Sequence, residues 1–293
     1  MDKTRIARVG LQAAALLAAF AGSIAMSMFL SRDGSAGSAI WTANGFLVGA
    51  LLILPRNWAA AILATSIAIQ AGLGLVAGHP PTRTIVLTLV NAGQCVFAAW
   101  LTRRYCGIHA RRLGLVRLTR ILVFAVIPSA VIGGLVAAVI GLAFPHRVFI
   151  QVWREWLVSG GLGMTLVLPA LLLAARFGQH RDFLRGGVET AGLFAGLAAL
   201  TLAVFLQSEL PLFFVVFPAV TLIAFRLGPP GAALAGLVVG AIALPLTLLG
   251  DGPAALARVL DFPAQVRLTE GFVAALQVTG VATATALADQ NRL

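Results

Sequence analysis

Apolar positions come in long runs along this chain, separated by short stretches of charge, proline and glycine. The runs cover about 6–30, 38–54, 58–77, 84–101, 121–144, 153–175, 188–207, 211–225, 231–249 and 268–288. Most approach the roughly 20 residues that cross a bilayer as a helix, so the pattern predicts an all-α, polytopic transmembrane helix bundle of about ten membrane segments. The eighth run is short and is joined to the ninth by Arg226-Leu227-Gly228-Pro229-Pro230. If 211–250 is instead a re-entrant pair, eight full crossings remain. The first run exceeds the 7 to 15 apolar residues of a signal peptide and no clear small-x-small cleavage site follows it before Arg32, so it reads as a retained anchor.

Composition removes the soluble alternatives. The 293 residues are 60% hydrophobic and 11% charged, with a mean hydropathy of +0.98, whereas ordinary soluble domains carry about a quarter charged residues. Subtracting the spans leaves almost nothing for a globular catalytic domain, so 1–293 reads as one integral membrane domain. Cys95 lies inside an apolar run and Cys106 beside Arg103 and Arg104, a usage that speaks against a disulfide framework. HExxH, Walker and GxSxG patterns are absent from the sequence. His79 and His146 fall in outer loops and His109 and His180 in inner ones, which argues against an imidazole metal cluster. No catalytic residue, metal or cofactor is expected, and the chain does not read as an enzyme.

The net charge of +11 would suit nucleic acid only as one exposed stripe; here it is scattered between spans. With ten crossings and the N-terminus inside, fifteen of the 21 Lys and Arg fall in inner segments and six in outer ones. Asp2, Asp182, Glu189 and Asp289 fall inside, while Asp33, Glu155, Glu209, Asp251, Asp261 and Glu270 fall outside or at the outer interface. The inner face then holds the whole +11 and the outer face is neutral, so the charge is a topology signal that places both termini in the cytoplasm. No nucleic-acid partner is expected. The inner loop 102–120 carries six arginines, Arg103, Arg104, Arg111, Arg112, Arg117 and Arg120, interleaved with Ile108, Leu113, Leu115, Val116 and Leu118, a composition suited to anionic lipid headgroups. The outer loops are short, the longest running about 250–267, so any signal is sensed among the helices.

Polar side chains at membrane depth cost free energy unless partnered, which makes each a candidate site beside its ordinary role as packing glue. Asn44 lies one turn after Trp41. Asn91 and Gln94, three apart, share one face of the fourth run. Trp153, Arg154, Glu155 and Trp156 begin the sixth, and Gln277 lies mid-span in the last. These nine are the candidates for ligand binding or signal sensing, with Trp41, Asn44, Trp153 and Trp156 placed in the outer half. Trp58 and Trp100 read as interfacial anchors. Pro128, Pro169, Pro218 and Pro245 are expected to kink their helices. The pairs Gly192/Gly196 and Gly236/Gly240 give small-xxx-small faces for close helix packing or a homodimer.

At these residues the chain resembles the first class of membrane-associated sensor domains, the MASE family of bacterial signalling proteins. The resemblance rests on Ile40-Trp41-Thr42-Ala43-Asn44-Gly45 with Pro55-Arg56-Asn57-Trp58, on Trp156-Leu157-Val158-Ser159-Gly160-Gly161-Leu162-Gly163 with Pro169, and on Phe217-Pro218, Arg226 to Ala233, Gly250-Asp251-Gly252-Pro253 and Gln277. It spans nearly the whole chain. One departure stands at Gly160, where the family often carries an acidic residue.

The resemblance implies an input module of the bacterial inner membrane. It would detect a small ligand or a membrane partner protein and pass the signal to a cytoplasmic output, a histidine kinase or diguanylate cyclase, that this chain does not contain. The stretch 289–293 has no helix-stopping Gly or Pro and reads as the start of a cytoplasmic signalling helix. The alternative reading is a small-solute transporter, since such folds also combine about ten helices with intramembrane polar groups and broken segments.

Overall fold

A computed structural model describes residues 3–30, 41–107, 115–144, 148–175, 187–256 and 261–290. Every regular element among them is helical, the outcome expected where lipid offers backbone N–H and C=O groups no partner outside their own segment. In chain order these are α1 (Lys3–Leu30), α2 (Ala43–Ile53), α3 (Ala59–Val76), α4 (Pro81–Tyr105), α5 (Leu115–Ile121), α6 (Ile127–Gly141), α7 (Phe149–Ala174), α8 (Gly187–Phe205), α9 (Val216–Leu248) and α10 (Phe262–Gln290). A π-helical turn, Leu122–Val126, joins α5 to α6. Eight helical stretches are long and apolar enough to cross a membrane, so this is a multi-pass membrane protein.

Three of the ten apolar runs take a form that hydropathy alone does not give. The run 38–54 supplies only α2, whose 11 residues reach about 16 Å, half of the roughly 30 Å hydrocarbon layer. The runs on either side of Arg226 are joined within α9, where Gly228 breaks the helix at φ 66° and ψ −163°. Neighbouring contacts fix the sense of the break. A Cβ at Gly231 would lie 3.3 Å from Ile223, and one at Gly280 would lie 2.9 Å from Val220 and 4.0 Å from Ala232. In a straight helix, residues 223 and 231 would be about 12 Å apart and residues 220 and 232 about 18 Å. The segments 216–227 and 229–248 are therefore two arms of a hairpin turning at Gly228.

The chain divides into two compact units, one of 1–29, 40–111 and 119–168, the other of 30–39, 112–118 and 169–293. In the first, α3 and α4 form a hairpin. Gly78 takes φ 80°, the His79 N–H reaches back to the Gly74 carbonyl at 3.1 Å and the Gly78 N–H to Leu75 at 3.0 Å, a glycine-terminated helix end. Pro81 then opens α4 at a position where no N–H is needed. The π turn ahead of Pro128 shows how α6 absorbs that proline, since shifting to i→i+5 pairing accommodates its missing donor.

In the second unit, polar contacts sort the helix ends into two sets. Arg226, at the hairpin turn, pairs with Glu189 at the start of α8 at 3.2 Å. At the other end of α8, the Ser208 hydroxyl accepts from the Gly252 N–H at 3.1 Å, just past the second arm. Helix α10 runs from a cluster of Phe205, Phe213, Phe217 and Phe272, with centroids 5.1 to 6.0 Å apart, to an apolar core of Ala224, Ala232, Ala233, Val281 and Ala284. Asp289, near its C-terminus, accepts from the Leu115 N–H at 3.3 Å. Glu270, counted at the outer interface on charge grounds, is buried within the unit at 3% exposure, beside Thr269, whose hydroxyl lies 3.1 Å from that of Thr247.

Candidate functional site

The polar residues of α4 are placed by helical spacing. Asn91 and Gln94 share a face, and both are buried, at 3% and 4% exposure. They find different neighbours. The Asn91 Nδ2 donates to Gln70 Oε1 of α3 at 2.9 Å, a pair that satisfies two amides inside the bundle. The Gln94 side chain lies instead against α6 at Gly133, where an added Cβ would come 2.6 Å from its Cδ. Only a glycine leaves room for that amide.

The segment before α2 is seated on α7. The Trp41 N–H donates to the Ser159 carbonyl at 3.2 Å. The Trp41 carbonyl occupies the space that a side chain at Gly163 would take, and a Cβ at Gly45 would come 2.5 Å from Val167 Cβ. These glycines let backbone meet backbone. From there α2 runs alongside α4 in the same direction: the Asn44 carbonyl is 4.0 Å from the Cys95 thiol, and the Leu51 carbonyl accepts from the Arg103 guanidinium. Because Cys95 stands halfway along α4, α2 begins near mid-span. Asn44 therefore sits at the N-terminal end of a half-length helix deep in the bundle, 1% exposed.

The two amides converge at Gly160. A Cβ there would lie 3.4 Å from Gln94 Nε2 and 3.5 Å from Asn44 Nδ2, and among the described residues no other element comes within 4 Å. Six buried side-chain atoms in this unit have no hydrogen-bond partner: Thr84 Oγ1 near the start of α4 and, among the residues singled out from the sequence, Trp41 Nε1, Asn44 Oδ1, Gln94 Nε2, Gln94 Oε1 and Trp153 Nε1. Leaving a buried polar group unsatisfied costs about 1 to 3 kcal/mol, and natural interiors hold few such groups. Nearby, Trp153 and Trp156 pack against Gly134 of α6 and border the apolar cluster of Ala137, Ala138 and Val152.

Of the nine residues singled out from the sequence, the structure gathers Trp41, Asn44, Asn91, Gln94, Trp153 and Trp156 within one unit around α2, α4 and α7. Arg154, on the same helix, is exposed, and Glu155 is half-buried with an interaction of its own. Gln277 belongs to the other unit, where it is 1% exposed and packs onto α9 at Gly236. Sequence reading passed over Gln70, a polar residue in mid-run, and Gly133, and it met Gly160 and Gly163 only as parts of a motif, since their packing role carries no signal until the helices meet. Trp100 stacks on Phe97 at 5.9 Å and Arg104 lies 5.3 Å over the Tyr105 ring, an aromatic and basic end to α4 of the interfacial kind. Residues 108–114, the middle of the basic loop, lie outside the described residues. So do 291–293.

Amides donate and accept hydrogen bonds and indoles donate them, in each case without titrating. Among the described residues no three His, Cys, Asp or Glu side chains group to hold a metal ion.

Comparison with known proteins returns one finding. Neither the curated proteins nor the solved structures provide a match. The family model MASE1 matches residues 11–289, nearly the entire chain. MASE1 is a family of membrane sensory domains found in signalling proteins and is not a catalytic one. The half-length helix on α7, the buried amides and the multi-pass bundle thus belong to a member of the MASE1 family.

Proposed function

We propose that this chain is the input module of a bacterial signalling protein of the inner membrane, with both termini in the cytoplasm, and that it reads its signal at the amide cluster around Asn44, Gln94 and Gly160. The observation that carries this reading is the set of unpartnered buried polar atoms on Trp41, Asn44, Gln94 and Trp153, five in all. A bundle that keeps such groups at mid-span is poised to gain stability from whatever satisfies them. The signal leaves by a shift or rotation of α10 toward a cytoplasmic output of the histidine kinase or diguanylate cyclase type. A ligand biases a two-state bundle only through its differential affinity, typically about 1 to 3 kcal/mol or 5- to 150-fold.

The test is a fusion of the full chain to a reporter output. Asn44→Leu together with Trp156→Ala, in a protein that still folds and inserts, is expected to move output at least 5-fold and to abolish its dependence on growth condition. Unchanged output from that folded double variant refutes the assignment. The carrier reading draws on the mid-span start of α2, since discontinuous helices also build transport sites. It requires flux of a small solute in proteoliposomes, and silence across a broad solute panel removes it.

A further inference from the structure

We infer that the gap at Gly160 is a receptor for an oxygen acceptor, the carboxylate or carbonyl group of a small ligand. This inference rests on the sensory site proposed above and names the ligand chemistry that the site would take.

The local geometry is donor-rich. Two side-chain NH2 groups, from different helices, face the same point at 3.4 and 3.5 Å from the position of an absent Cβ. Two donors pointed at one position cannot satisfy each other; they can both be satisfied by a single oxygen, which carries two lone pairs. The Gln94 amide leaves both its nitrogen and its oxygen without a partner, so exchanging the two ends of that amide leaves it equally unsatisfied; at Asn44 the unpartnered buried atom is Oδ1, while Nδ2 is the end nearer Gly160. Asn44 and Gln94 are more than nine-tenths buried, so bulk water does not serve them.

The dipole of α2 adds a smaller contribution from farther away, since the Gly45 and Phe46 N–H groups donate to the Thr42 carbonyl and only the two side-chain nitrogens come within 4 Å of the Gly160 position. Asn44 is the second residue of α2, and the N-terminal turn of a helix presents N–H groups and the positive end of its dipole, which favour an anionic or electronegative atom. Thr42 at the cap makes no side-chain hydrogen bond to that turn. In a low-dielectric interior such donors count for more than in water, and half-length helices that begin at mid-membrane present this end to anionic groups of a solute. Size is set by Gly160 itself. It is buried, and any side chain there would occupy the point on which the donors converge.

The test uses the full chain in nanodiscs, with thermal unfolding as the readout. Formate serves as the smallest carboxylate, formamide as the neutral carbonyl and methylammonium as a donor-only control. Gly160→Ala places a methyl at ordinary contact distance from both amides, so it is expected to fold while filling the receptor. A concentration-dependent stabilisation of wild type by formate or formamide, with apparent affinity lowered at least 10-fold in Gly160→Ala, supports the inference. A preference for formate over formamide identifies an anion receptor, and the reverse order a carbonyl receptor. Gln94→Leu gives the same comparison should Gly160→Ala fail to fold. The inference is overturned if neither probe stabilises wild type, if Gly160→Ala responds equally, or if methylammonium acts as well as either.

The reporter fusion separates this inference from the reading beneath it. Output altered by Asn44→Leu without any probe binding retains the sensory site and removes the ligand class. Probe binding abolished by Gly160→Ala, with output unmoved, retains the receptor and removes the sensory role.

Discussion

At the residue scale, the site depends on two glycines of α7 that do different work, and the difference is measurable. Gly163 is where the Trp41 backbone touches α7, and a Cβ there would strike the carbonyl of Trp41 and come 2.9 Å from the Thr42 nitrogen. Backbone on both sides leaves no flexible end to move. Gly163→Ala is therefore expected to destabilise the bundle by about 1 to 3 kcal/mol, as overpacking does, whereas Gly160→Ala, meeting only side-chain amides at ordinary contact, is expected to cost less than about 1 kcal/mol. Parallel thermal unfolding of the two variants checks this ordering. Cys106, just past the end of α4, supplies a pH-dependent test. Burial raises its thiol above the ordinary value, against a smaller opposing pull from Arg120. A thiol raised in the folded state contributes stability below its unfolded pKa and loses it as pH rises through the folded one. Alkylation of Cys106 by a maleimide near pH 8 is accordingly expected to be slower in folded protein than in denatured protein, because the thiolate is the nucleophile, and equal rates would refute the burial.

At the element scale, the sequence around 226–231 says that a helix must stop, and the structure shows what replaces it. Gly228 adopts φ 66° with ψ −163°, a region that is essentially glycine-only. That single residue reverses the chain, so that Val220 and Ala232 both reach Gly280. Gly228→Ala is expected to destabilise the second unit by about 1 to 3 kcal/mol and to weaken the contact of the two arms with α10. Gly192→Ala provides the control, since nothing lies within 4 Å of its Cβ position and its φ is ordinary; there the substitution is expected to be neutral or to stabilise α8 by up to about 1 kcal/mol, the helix-propensity difference. Equal losses from both variants, measured by unfolding in detergent, would mean that the turn is not strained in the way described. The half-length α2 makes the opposite point. Its run is apolar enough to be read as a crossing, and only the seating of Trp41 and Gly45 on α7 stops the helix from starting at the membrane surface.

At the scale of the whole molecule, the charge asymmetry and the helix ends of the second unit can be compared directly. Positive-inside counting puts Arg226, Glu189 and Asp289 on the cytoplasmic side and Glu209 and Asp251 on the other. The structure joins Arg226 to Glu189 and Ser208 to Gly252, so the segments 187–205, 212–226, 229–250 and 262–290 alternate in direction as that count requires. Single cysteines at Arg226 and Ser208, in a background without Cys95 and Cys106, make the assignment testable in intact cells. An impermeant maleimide is expected to label position 208 from outside and position 226 only after permeabilisation. The reverse pattern would invert the molecule and place α10 with its C-terminus outside, where it could not drive a cytoplasmic output.

What the sequence determined by itself was whatever depends on composition and on short spacing. Long apolar runs require helices because lipid cannot satisfy a free backbone, and the arginines choose a face because their transfer cost is asymmetric in biology. The i and i+3 spacing put Asn91 and Gln94 on one side of α4, and the motifs around Trp41, Trp156 and Arg226 carried the family resemblance that the match over 11–289 confirms. Tertiary structure decided the rest. That Asn91 is satisfied by Gln70 while Gln94 is not, that Gln277 belongs to the other unit, that Glu270 is buried and that Gly160 faces two amides from different helices all depend on contacts between residues 21 to 116 positions apart. Such pairings are set by which small residues allow two backbones to approach, and a glycine announces its permissiveness in the sequence without naming the neighbour it will admit.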